Sequence, residues 1–494
     1  MASWRVSGLT VTGAPSNGLY AVSGTVTLNG VTSRENEQTG LRVEYGTLEA
    51  TDCLVQGNHY IGVSVGLSTA TLSGVQVLDT QPDGTGLGGN GIVVFEDSSL
   101  EATDCLVQGN HDYGVFVRGS TVTLEGVQVL DTHRRDDHSY TSIGIAVVEQ
   151  SMLMATDCLV QGNHDFGVSV RGSTVTLQGV KILDTATSSY LDTGRGIQIG
   201  EGSTLEASNC LVQGNHDAGV LVTDDSTATF SDVEILDTVR STVGTMAKGL
   251  VAQLSANVQA TNLTVQDTDG SGLNVLLNSM LTCAGCTLVD NSFAGAVIQA
   301  GGELVIHDSL IEGTISDINT GAGLGVFVYD RGQTQAYPLA LTLENSTIRD
   351  NEMGAVYIKG AGSYELTGNH LSGGNGLEVN PGLWAHGDAV FVTAGEQVPM
   401  TWDEEEQVGL LLEDNTFSDS AGAGVFLDGA SATLADNTYE GNTIDLVRQA
   451  CGQADAPEGL DEEPISTTEL CPDYDYLTQD LELHTYLEDT EAEN

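Results

Sequence analysis

The sequence predicts an all-β fold, a single-stranded right-handed parallel β-helix of about 17 coils that ends in a short irregular C-terminal tail. Two recurring phrases predict it. T-D-C-L-V-Q-G-N-H, once as S-N-C-L-V-Q-G-N-H, occurs at Thr51–His59, Thr103–His111, Thr156–His164 and Ser208–His216. Between these copies, a phrase of the form L-x-G-V-x-[VI]-L-D-T ends at Thr80, Thr132 and Thr185. Self-similarity at a fixed period indicates a solenoid, because each repeat buries its apolar face only against its neighbours.

The apolar residues alternate with polar ones, as in Gly114-Val115-x-Val117, and this period of two indicates strands and not helices. Short coils span 22 or 23 residues and long coils span 30 or 31 in the regular part. The predicted coil corners are Ala14, Asn36, Asn58, Thr80, Asn110, Thr132, Asn163, Thr185, Asn215, Thr238, Thr268 and Asn291, followed less regularly by Thr314, Asn351, Gly374, Ser420 and Asn442.

These boundaries divide the chain into a β-helix over 1–447 and an acidic tail or cap over 448–494. Within the β-helix, we expect regular two-coil repeats over 36–268 and irregular coils with long loop inserts over 269–447. The composition agrees, because Gly is abundant at 61 residues while Pro is scarce at 8. The interior is therefore predicted to be stacked Val, Leu, Ile and Ala.

The charge is strongly negative, since 15 Lys and Arg stand against 69 Asp and Glu and give a formal charge of −54. Such a field repels nucleic acid and anionic membranes, so both are excluded as primary partners. No apolar run is long enough to span a bilayer. Two interpretations stay open: a hydrated surface suited to a saline or extracellular medium, or carboxylate-bound Ca²⁺. No Ca²⁺ loop motif is present, so no metal site is assigned and no other cofactor is expected.

The eight cysteines form three groups. Four copies of the first phrase place an inward cysteine on every second coil, too far apart for disulfides, and predict a stack of buried thiols at Cys53, Cys105, Cys158 and Cys210. Cys283-x-x-Cys286 indicates a local disulfide or two free thiols sooner than a metal site. A disulfide between Cys451 and Cys471 would pin the tail and would suit an exported protein. We expect an extracellular or outer cell-surface location, with the N-terminal cap and export signal outside this sequence.

One edge of the rod is predicted to collect the polar residues that follow the corners. His and Asp follow the corner Asn, and loop inserts rich in Arg follow the corner Thr. Arg could pair there with the carboxylates of an anionic glycan, whereas the His-Asp pairs could simply cap the turns. The predicted ligand-binding residues are His111, Asp112, His133, Arg134, Arg135, His138, His164, Asp165, Arg195, His216, Asp217, Arg240 and Lys248.

A second surface is predicted from the residues that alternate with the inward Val and Cys. Outward Leu and Gln should form a checkerboard, which we name the Leu–Gln face. The C-terminal tail, a protein partner or a second copy of the rod could cover this face. Alternatively, it could be an ordinary sheet surface exposed to solvent. Its leucines are Leu54, Leu78, Leu106, Leu130, Leu159, Leu183, Leu211 and Leu236.

The G-V-x-V phrases, together with N-S-T-I-R-D-N at Asn345–Asn351 and D-N-T-F-S-D-S at Asp414–Ser420, resemble the repeats of the pectin-lyase-like superfamily. The resemblance covers roughly Val6 to Val447 and is closest to uncharacterised secreted bacterial members. It implies the fold but not the function, because members include lyases, hydrolases, epimerases and tailspikes. The motifs of the catalytic members are absent, so the resemblance assigns no catalytic residue.

Two functions therefore remain. The first is a secreted or cell-surface rod that binds a glycan or a protein along one flank without catalysis. The alternative is a lyase or glycoside hydrolase that acts on an acidic polysaccharide such as a uronan. Its site would lie under a lid of loop inserts that contains Trp384, Trp402, His386 and Asp388.

Overall fold

The computed structural model describes residues 3–133, 142–187, 193–242, 244–318, 320–329, 338–374, 378–380, 383–384, 387–393, 409–428, 430 and 432–449. Over these residues the chain winds as a right-handed parallel β-helix whose coils each contribute to three sheets. The described residues hold no helix that is long and apolar enough to cross a membrane.

Sheet III consists of 17 three-residue strands, one per coil, and confirms the predicted number of coils. Each strand pairs in parallel with the strands of the coils before and after it, for example Val107 with Val129. The strands are Thr10–Thr12, Thr32–Arg34, Leu54–Gln56, Gln76–Leu78, Leu106–Gln108, Gln128–Leu130, Leu159–Gln161, Lys181–Leu183, Leu211–Gln213, Glu234–Leu236, Thr264–Gln266, Thr287–Val289, Leu310–Glu312, Thr347–Arg349, His370–Ser372, Thr416–Ser418 and Thr438–Glu440.

Sheet I follows the corner residues, and sheet II follows sheet I after a short turn. Two long strands near the N-terminus, Leu19–Asn29 and Leu41–Thr51, belong to both sheets. The other strands of sheet I are Ile61–Gly66, Asn90–Phe95, Tyr113–Arg118, Ile143–Val148, Asp165–Arg171, Gly194–Gly200, Ala218–Val222, Ala247–Ala252, Gly270–Val275, Ala294–Gln299, Leu324–Tyr329, Gly354–Lys359, Val390–Thr393, Ala423–Asp428 and Ile444–Gln449.

The remaining strands of sheet II are Ser3–Ser7, Thr69–Ser73, Ser99–Thr103, Thr121–Glu125, Met152–Thr156, Thr174–Gln178, Thr204–Ser208, Thr227–Ser231, Asn257–Thr261, Met280–Ala284, Glu303–His307, Leu339–Glu344, Gly362–Thr367, Gly409–Glu413 and Thr433–Ala435. A separate antiparallel pair, Glu378–Asn380 with Leu383–Trp384, lies within an insert.

The interior is one continuous apolar column, as the alternation of apolar and polar residues predicts. Val55, Val77 and Val107 are fully buried on sheet III. The predicted thiol stack is confirmed, since the four repeat cysteines are free and buried. Burial raises the pKa of each of these thiols, so they behave as small apolar side chains. Cys283 and Cys286 form the local disulfide that was one of the two alternatives.

The corner residues hold the coils together through buried amides. The Oδ1 atom of Asn163 accepts a hydrogen bond from the main-chain N–H of Thr132 at 3.0 Å, and its Nδ2 donates to the carbonyl of Val129 at 3.3 Å. The same pattern joins Asn110 to Thr80 and Asn215 to Thr185. Each corner Asn thus bonds mainly to the main chain of the preceding coil and less often, as at the Asn36–Asn58 pair, to another amide.

A second polar ladder, made of serines, runs along the turn between sheets I and II and was not predicted from the sequence. The main-chain N–H of each serine donates to the Oγ of the serine one coil later, as in Ser98 to Ser120 and Ser151 to Ser173. The ladder comprises Ser68, Ser98, Ser120, Ser151, Ser173, Ser203 and Ser226.

Both turns that flank sheet III require left-handed backbone, and from Asp52 to Asp184 Asp and Gly alternate there from coil to coil. Asp79 and Asp131 have φ values of 55° and 53°, and Gly109 between them has 67°. A Cβ atom at Gly109 would lie only 2.6 Å from Oδ1 of Asp79. The glycine therefore leaves room for the aspartate, and carboxylates in one column stand two coils, about 9.6 Å, apart.

The hydrogen bonds of the corner Asn residues predict different stabilities for two substitutions at one corner contact. Asn163→Ala should destabilise the protein by about 2 kcal/mol or more, because it leaves the buried N–H of Thr132 without its acceptor. Thr132→Val should be neutral or stabilising, because the buried Oγ1 of Thr132 has no hydrogen-bond partner in the described structure. Urea unfolding followed by circular dichroism measures both, and equal losses in the two variants would contradict the role of the amide.

Candidate functional site

The predicted edge forms a single column of side chains, which we name the histidine ridge: His59, His111, His133, His164 and His216. Isolated parallel bridges pair His111 with His133 and His216 with Val239, so short and long coils contribute to the same line. The structure therefore brings the described His residues of the prediction together. Arg134, Arg135 and His138 lie outside the described residues, as do Cys451 and Cys471.

The histidines fasten the corner of one coil to the next. Nδ1 of His111 donates to the carbonyl of Thr80 at 3.0 Å, and Nδ1 of His216 donates to the carbonyl of Thr185 at 3.0 Å. The main-chain N–H of His111 also bonds to the carbonyl of Gly89, which ends a loop insert. A carbonyl only accepts, so Nδ1 holds the proton and Nε2 is the remaining ring nitrogen.

Three imidazoles on consecutive coils contact one another edge-on or at a tilt. The ring centroids are 6.0 Å apart for His111 and His133, and 6.1 Å apart for His133 and His164. Desolvation, followed by the neighbouring imidazoles, lowers the pKa of His133. Protonation of His133 is therefore disfavoured, because an imidazolium ion at this position would be partly desolvated and would lie next to two other imidazoles.

The aspartates that follow these histidines point inward and are not exposed to a ligand. Asp112, Asp165 and Asp217 are buried in left-handed turns with φ of 54°, 58° and 65°. Oδ2 of Asp165 accepts a hydrogen bond from the main-chain N–H of Ser142 at 2.8 Å. This geometry agrees with the turn-capping alternative, and binding of a ligand by these carboxylates remains a prediction.

The predicted ridge cations lie beneath the surface in an ion-pair cluster. Nε of Arg195 lies 3.0 Å from Oδ2 of Asp217, and the side chains are 6% and 5% exposed. Lys248 donates from Nζ to the carbonyl of Met246, and its desolvation lowers the pKa of the ammonium group although Asp217 opposes this.

Arg240 continues this cluster, because it contacts Asp269 and the fully buried side chain of Asp317. The described cations of the prediction therefore pair with carboxylates of the rod. Their pairing with a glycan remains a prediction.

The Leu–Gln face has the predicted checkerboard. In sheet III, Leu106 pairs with Gln128 and Gln108 pairs with Leu130. The eight leucines are half-buried and point away from the core. Gln108 donates from Nε2 to Oδ2 of Asp131 at 2.9 Å, and the same bond recurs from Gln161 to Asp184 and from Gln213 to Asp237.

A shallow polar groove of about 490 Å³ opens farther along sheet III. Thr287 and Thr347 line it where longer side chains stand in the regular coils, and Asp308 and Asn345 form one border. Arg349 on the opposite side donates to Oε2 of Glu312 from Nη2 and Nε at 2.7 and 2.8 Å. The groove offers hydroxyl, amide and charged groups to a polar ligand.

Sequence reasoning missed an apolar cluster on the outer surface of sheet I. The rings of Tyr357 and Phe391 stack at 4.8 Å, and those of Phe391 and Phe426 at 5.1 Å. The signal was present, since an aromatic residue follows the first inward Val in Val326-Phe327, Val356-Tyr357, Val390-Phe391 and Val425-Phe426. These rings are at most 5% exposed, so they stabilise the rod and do not form a binding platform.

Asp388, at the border of this cluster, is a buried carboxyl group. Its Oδ1 accepts a hydrogen bond from the main-chain N–H of Ala423 at 2.6 Å, while its Oδ2 has no partner in the described structure. Desolvation raises its pKa to about 7. Trp402 and His386 of the predicted lid are outside the described residues, and so is the side chain of Trp384. Within the described residues, no three His, Cys, Asp or Glu side chains are grouped to hold a metal ion.

Comparison with known proteins agrees with this architecture. The family described as "Right handed beta helix region" matches residues 2–131, 62–235 and 313–455. The chain therefore belongs to the right-handed β-helix family, and its fold is of the pectin-lyase-like type. No functionally curated protein matches the sequence.

Several solved structures are similar to this chain, and one of them has a TM-score above 0.5. The cryo-EM structure of the Vag8–C1 inhibitor complex is similar at a TM-score of 0.56 and 16% identity, over 90% of this chain and 98% of that chain. The periplasmic alginate epimerase AlgG has a TM-score of 0.40 and 9% identity, over 84% and 76% of the two chains. PfbA, a surface adhesin of Streptococcus pneumoniae, has a TM-score of 0.37 and 10% identity, over 77% and 85%.

The buried ion-pair cluster predicts that removal of a single negative charge lowers the stability of the protein strongly. Asp217→Asn should destabilise the protein by about 3 kcal/mol, because Arg195 and Lys248 would stay buried without their carboxylate. Asn adopts the left-handed turn, so the backbone at this position is retained. Glu206→Gln on the exposed side of sheet II is the control and should change stability by less than about 0.5 kcal/mol. Equal urea midpoints for Asp217→Asn and the wild type would contradict the cluster.

Asp388 predicts a pH dependence with a defined sign. Its pKa is about 7 in the folded protein and near its ordinary value in the unfolded chain, so the folded state binds the proton more tightly. This group's contribution to stability is therefore present at low pH and is lost as the pH rises to about 7. Its full size is on the order of 4 kcal/mol.

Asp388→Asn retains the acceptor for Ala423 and removes the ionisation. The difference in thermal midpoint between the variant and the wild type should grow in favour of the variant from pH 5 to pH 8. Asp225→Asn, an exposed change of the same kind, should give no such trend. A constant difference between Asp388→Asn and the wild type would show that this carboxyl group does not titrate in that range.

Proposed function

We propose that this protein is a non-catalytic binding rod that acts outside the cell or on its outer surface and holds a glycan or a protein along the sheet III flank. The single observation that supports this most is the outward row of half-buried leucines on that flank. Eight consecutive coils place one outward leucine each, in register, on a chain with a formal charge of −54. A row of equivalent contacts suits a long or repetitive partner, since each added contact strengthens the others.

The arrangement of the ridge also favours binding over catalysis. An active site needs one unique constellation of groups, whereas duplication gives the ridge the same His and Asp on several coils. Below the surface, Asp217 pairs with Arg195, and desolvation lowers the pKa of Lys248. The Nε2 atoms of the ridge histidines are the groups best placed to contact a ligand there. The polar groove beside Arg349 supplies a second, hydrophilic part of the same flank.

The proposed location follows from chemistry that suits an oxidising, hydrated medium. The Cys283–Cys286 disulfide fits an oxidising compartment. The formal charge of −54 keeps such a rod hydrated and soluble. The predicted bond between Cys451 and Cys471 would serve the same environment.

The alternative is a lyase or hydrolase that acts on an acidic polysaccharide, and one observation favours it. Asp388 has the raised pKa that a general acid uses near neutral pH, and it lies at the predicted lid. Its Oδ2 atom is fully buried, so a substrate would reach it only after the surrounding chain moves.

One experiment separates the two functions. The purified protein is exposed to alginate, polygalacturonate, laminarin, chitooligosaccharides and a three-heptad peptide with Leu at a and d and Lys at e and g. Binding is followed by biolayer interferometry. Turnover of the glycans is followed by reducing ends and by the ultraviolet absorbance of the double bond that a lyase creates. We expect binding to at least one of these probes, without any turnover.

Matched variants then locate the binding surface. Leu106→Gln with Leu159→Gln changes the Leu–Gln face, whereas Thr121→Gln with Thr174→Gln changes exposed residues of sheet II on neighbouring coils. The leucine variant should weaken binding about tenfold, and the threonine variant should leave it unchanged. Turnover of any glycan that Asp388→Asn abolishes, binding that both variants weaken equally, or no binding to any probe would overturn the proposal.

A further inference from the structure

The Leu–Gln face has two charged borders that its sequence pattern did not reveal. We name them the acidic margins. One margin lies at the turn between sheets II and III and the other at the turn between sheet III and sheet I. Their aspartates are Asp52, Asp104, Asp157 and Asp232 on the first margin, and Asp79, Asp131, Asp184 and Asp237 on the second.

The margins present fixed negative charge. Every one of these aspartates has a left-handed backbone, and all are exposed or half-exposed. On the second margin, Gln Nε2 atoms of the face hold the carboxylates of Asp131 and Asp184 in place. Across the described structure, none of the eight aspartates forms an ion pair.

The face between the margins is almost free of positive charge. From Leu54 to Leu236 its outward residues are Leu and Gln, apart from Lys181 and Glu234. The surface is thus an apolar strip between two rows of carboxylates that no cation of the described rod neutralises. A complementary partner has apolar side chains along its middle and Lys or Arg on both sides.

The negative charge of the margins argues against two other binding partners for this face. A second copy of the rod would set carboxylates against carboxylates, and an anionic glycan would meet the same repulsion. A neutral glycan would leave the carboxylates without partners.

The dimensions match a helix. A three-residue strand makes the face about 10 Å wide, close to the diameter of an α-helix at about 10–12 Å. Leucines in one column recur every two coils, about 9.6 Å apart, and one heptad of a helix rises about 10.5 Å. The apolar stripe of an amphipathic helix therefore stays nearly in step with the leucines over several repeats.

We propose that the Leu–Gln face and its acidic margins bind a cationic amphipathic helix of a partner protein, laid along the axis of the rod. This inference rests on the proposed binding function and names the partner for that flank. The leucines of the face supply the apolar contact, and the margins pair with Lys or Arg at the two sides of the helix.

The test uses the three-heptad peptide with Leu at a and d and Lys at e and g, labelled for fluorescence anisotropy with the full-length protein. A scrambled peptide of the same composition lacks the apolar stripe, and a third peptide has Gln in place of Lys. The first peptide should bind at least tenfold more tightly than either control. Its affinity should fall as salt is added, because charge pairs are screened.

Variants assign the contacts. Asp104→Asn, Asp131→Asn, Asp157→Asn and Asp184→Asn combined should weaken binding about tenfold and flatten its salt dependence. Asn tolerates the left-handed turn, as Asn209 in the same column already does with φ of 52°. Glu101→Gln with Glu125→Gln on sheet II is the control for loss of charge elsewhere and should change the affinity less than twofold. Thermal unfolding checks that each variant is folded.

The outcomes are distinct. Equal binding of the scrambled peptide, or equal loss in the sheet II control, means general attraction to an acidic surface and overturns the inference. Leucine-dependent self-association in sedimentation velocity identifies the face as an interface between copies and also overturns it. If a glycan binds in a way that depends on the leucines and the peptide does not bind, the helix is overturned as the partner, while the proposed binding function stands.

Discussion

The buried side-chain amide of Asn, at the corner of alternate coils in the regular part, is the interaction on which the rest of the structure depends. The chain turns sharply between sheet III and sheet I, and this turn places main-chain N–H and carbonyl groups out of reach of water. Asn163 satisfies one of each on the preceding coil. Because a buried unpaired polar group is costly, this bond fixes both the position of the corner and the register of neighbouring coils. The serine ladder has the same role on the opposite turn.

Because the coils are in register, equivalent side chains of successive coils line up in columns on every surface of the rod. The residue type in each column determines the chemistry of that surface. Inward columns contain Val and Cys and form the core. On the ridge, His111 and His216 hold loop inserts against the corners, while Asp217 and Arg195 balance charge below them. On sheet III, the same register lines up leucines between two acidic margins. From Asp79 to Asp237, the Asp–Gly alternation stacks carboxylates in one column without placing them on adjacent coils.

Much of the fold was predictable from the sequence because the repeat is nearly exact in its first half. The corner residues, the coil count, the inward cysteines and the outward leucines follow from period and alternation alone. The serine ladder was not predicted, since Ser98 or Ser120 is an ordinary turn residue in sequence and its role appears only when coils are stacked. The aromatic cluster beside Phe391 was missed because its rings lie in the irregular coils, outside the two recurring phrases.

The candidate site was predictable in position but not in exposure. The loop inserts that follow the corner threonines predicted Arg195 and Lys248 on the ridge. The sequence does not tell whether an insert covers them, because the paths of the inserts are not periodic.

The measurement that tests the central claim most directly is amide hydrogen exchange at the corners of the folded rod. The main-chain N–H groups of Thr80, Thr132 and Thr185 point at the Oδ1 atoms of Asn110, Asn163 and Asn215. They should exchange as slowly as the amides of the core strands, although they lie in turns. Exchange at the rate of the exposed turn residues would contradict a rod held in register by buried amides.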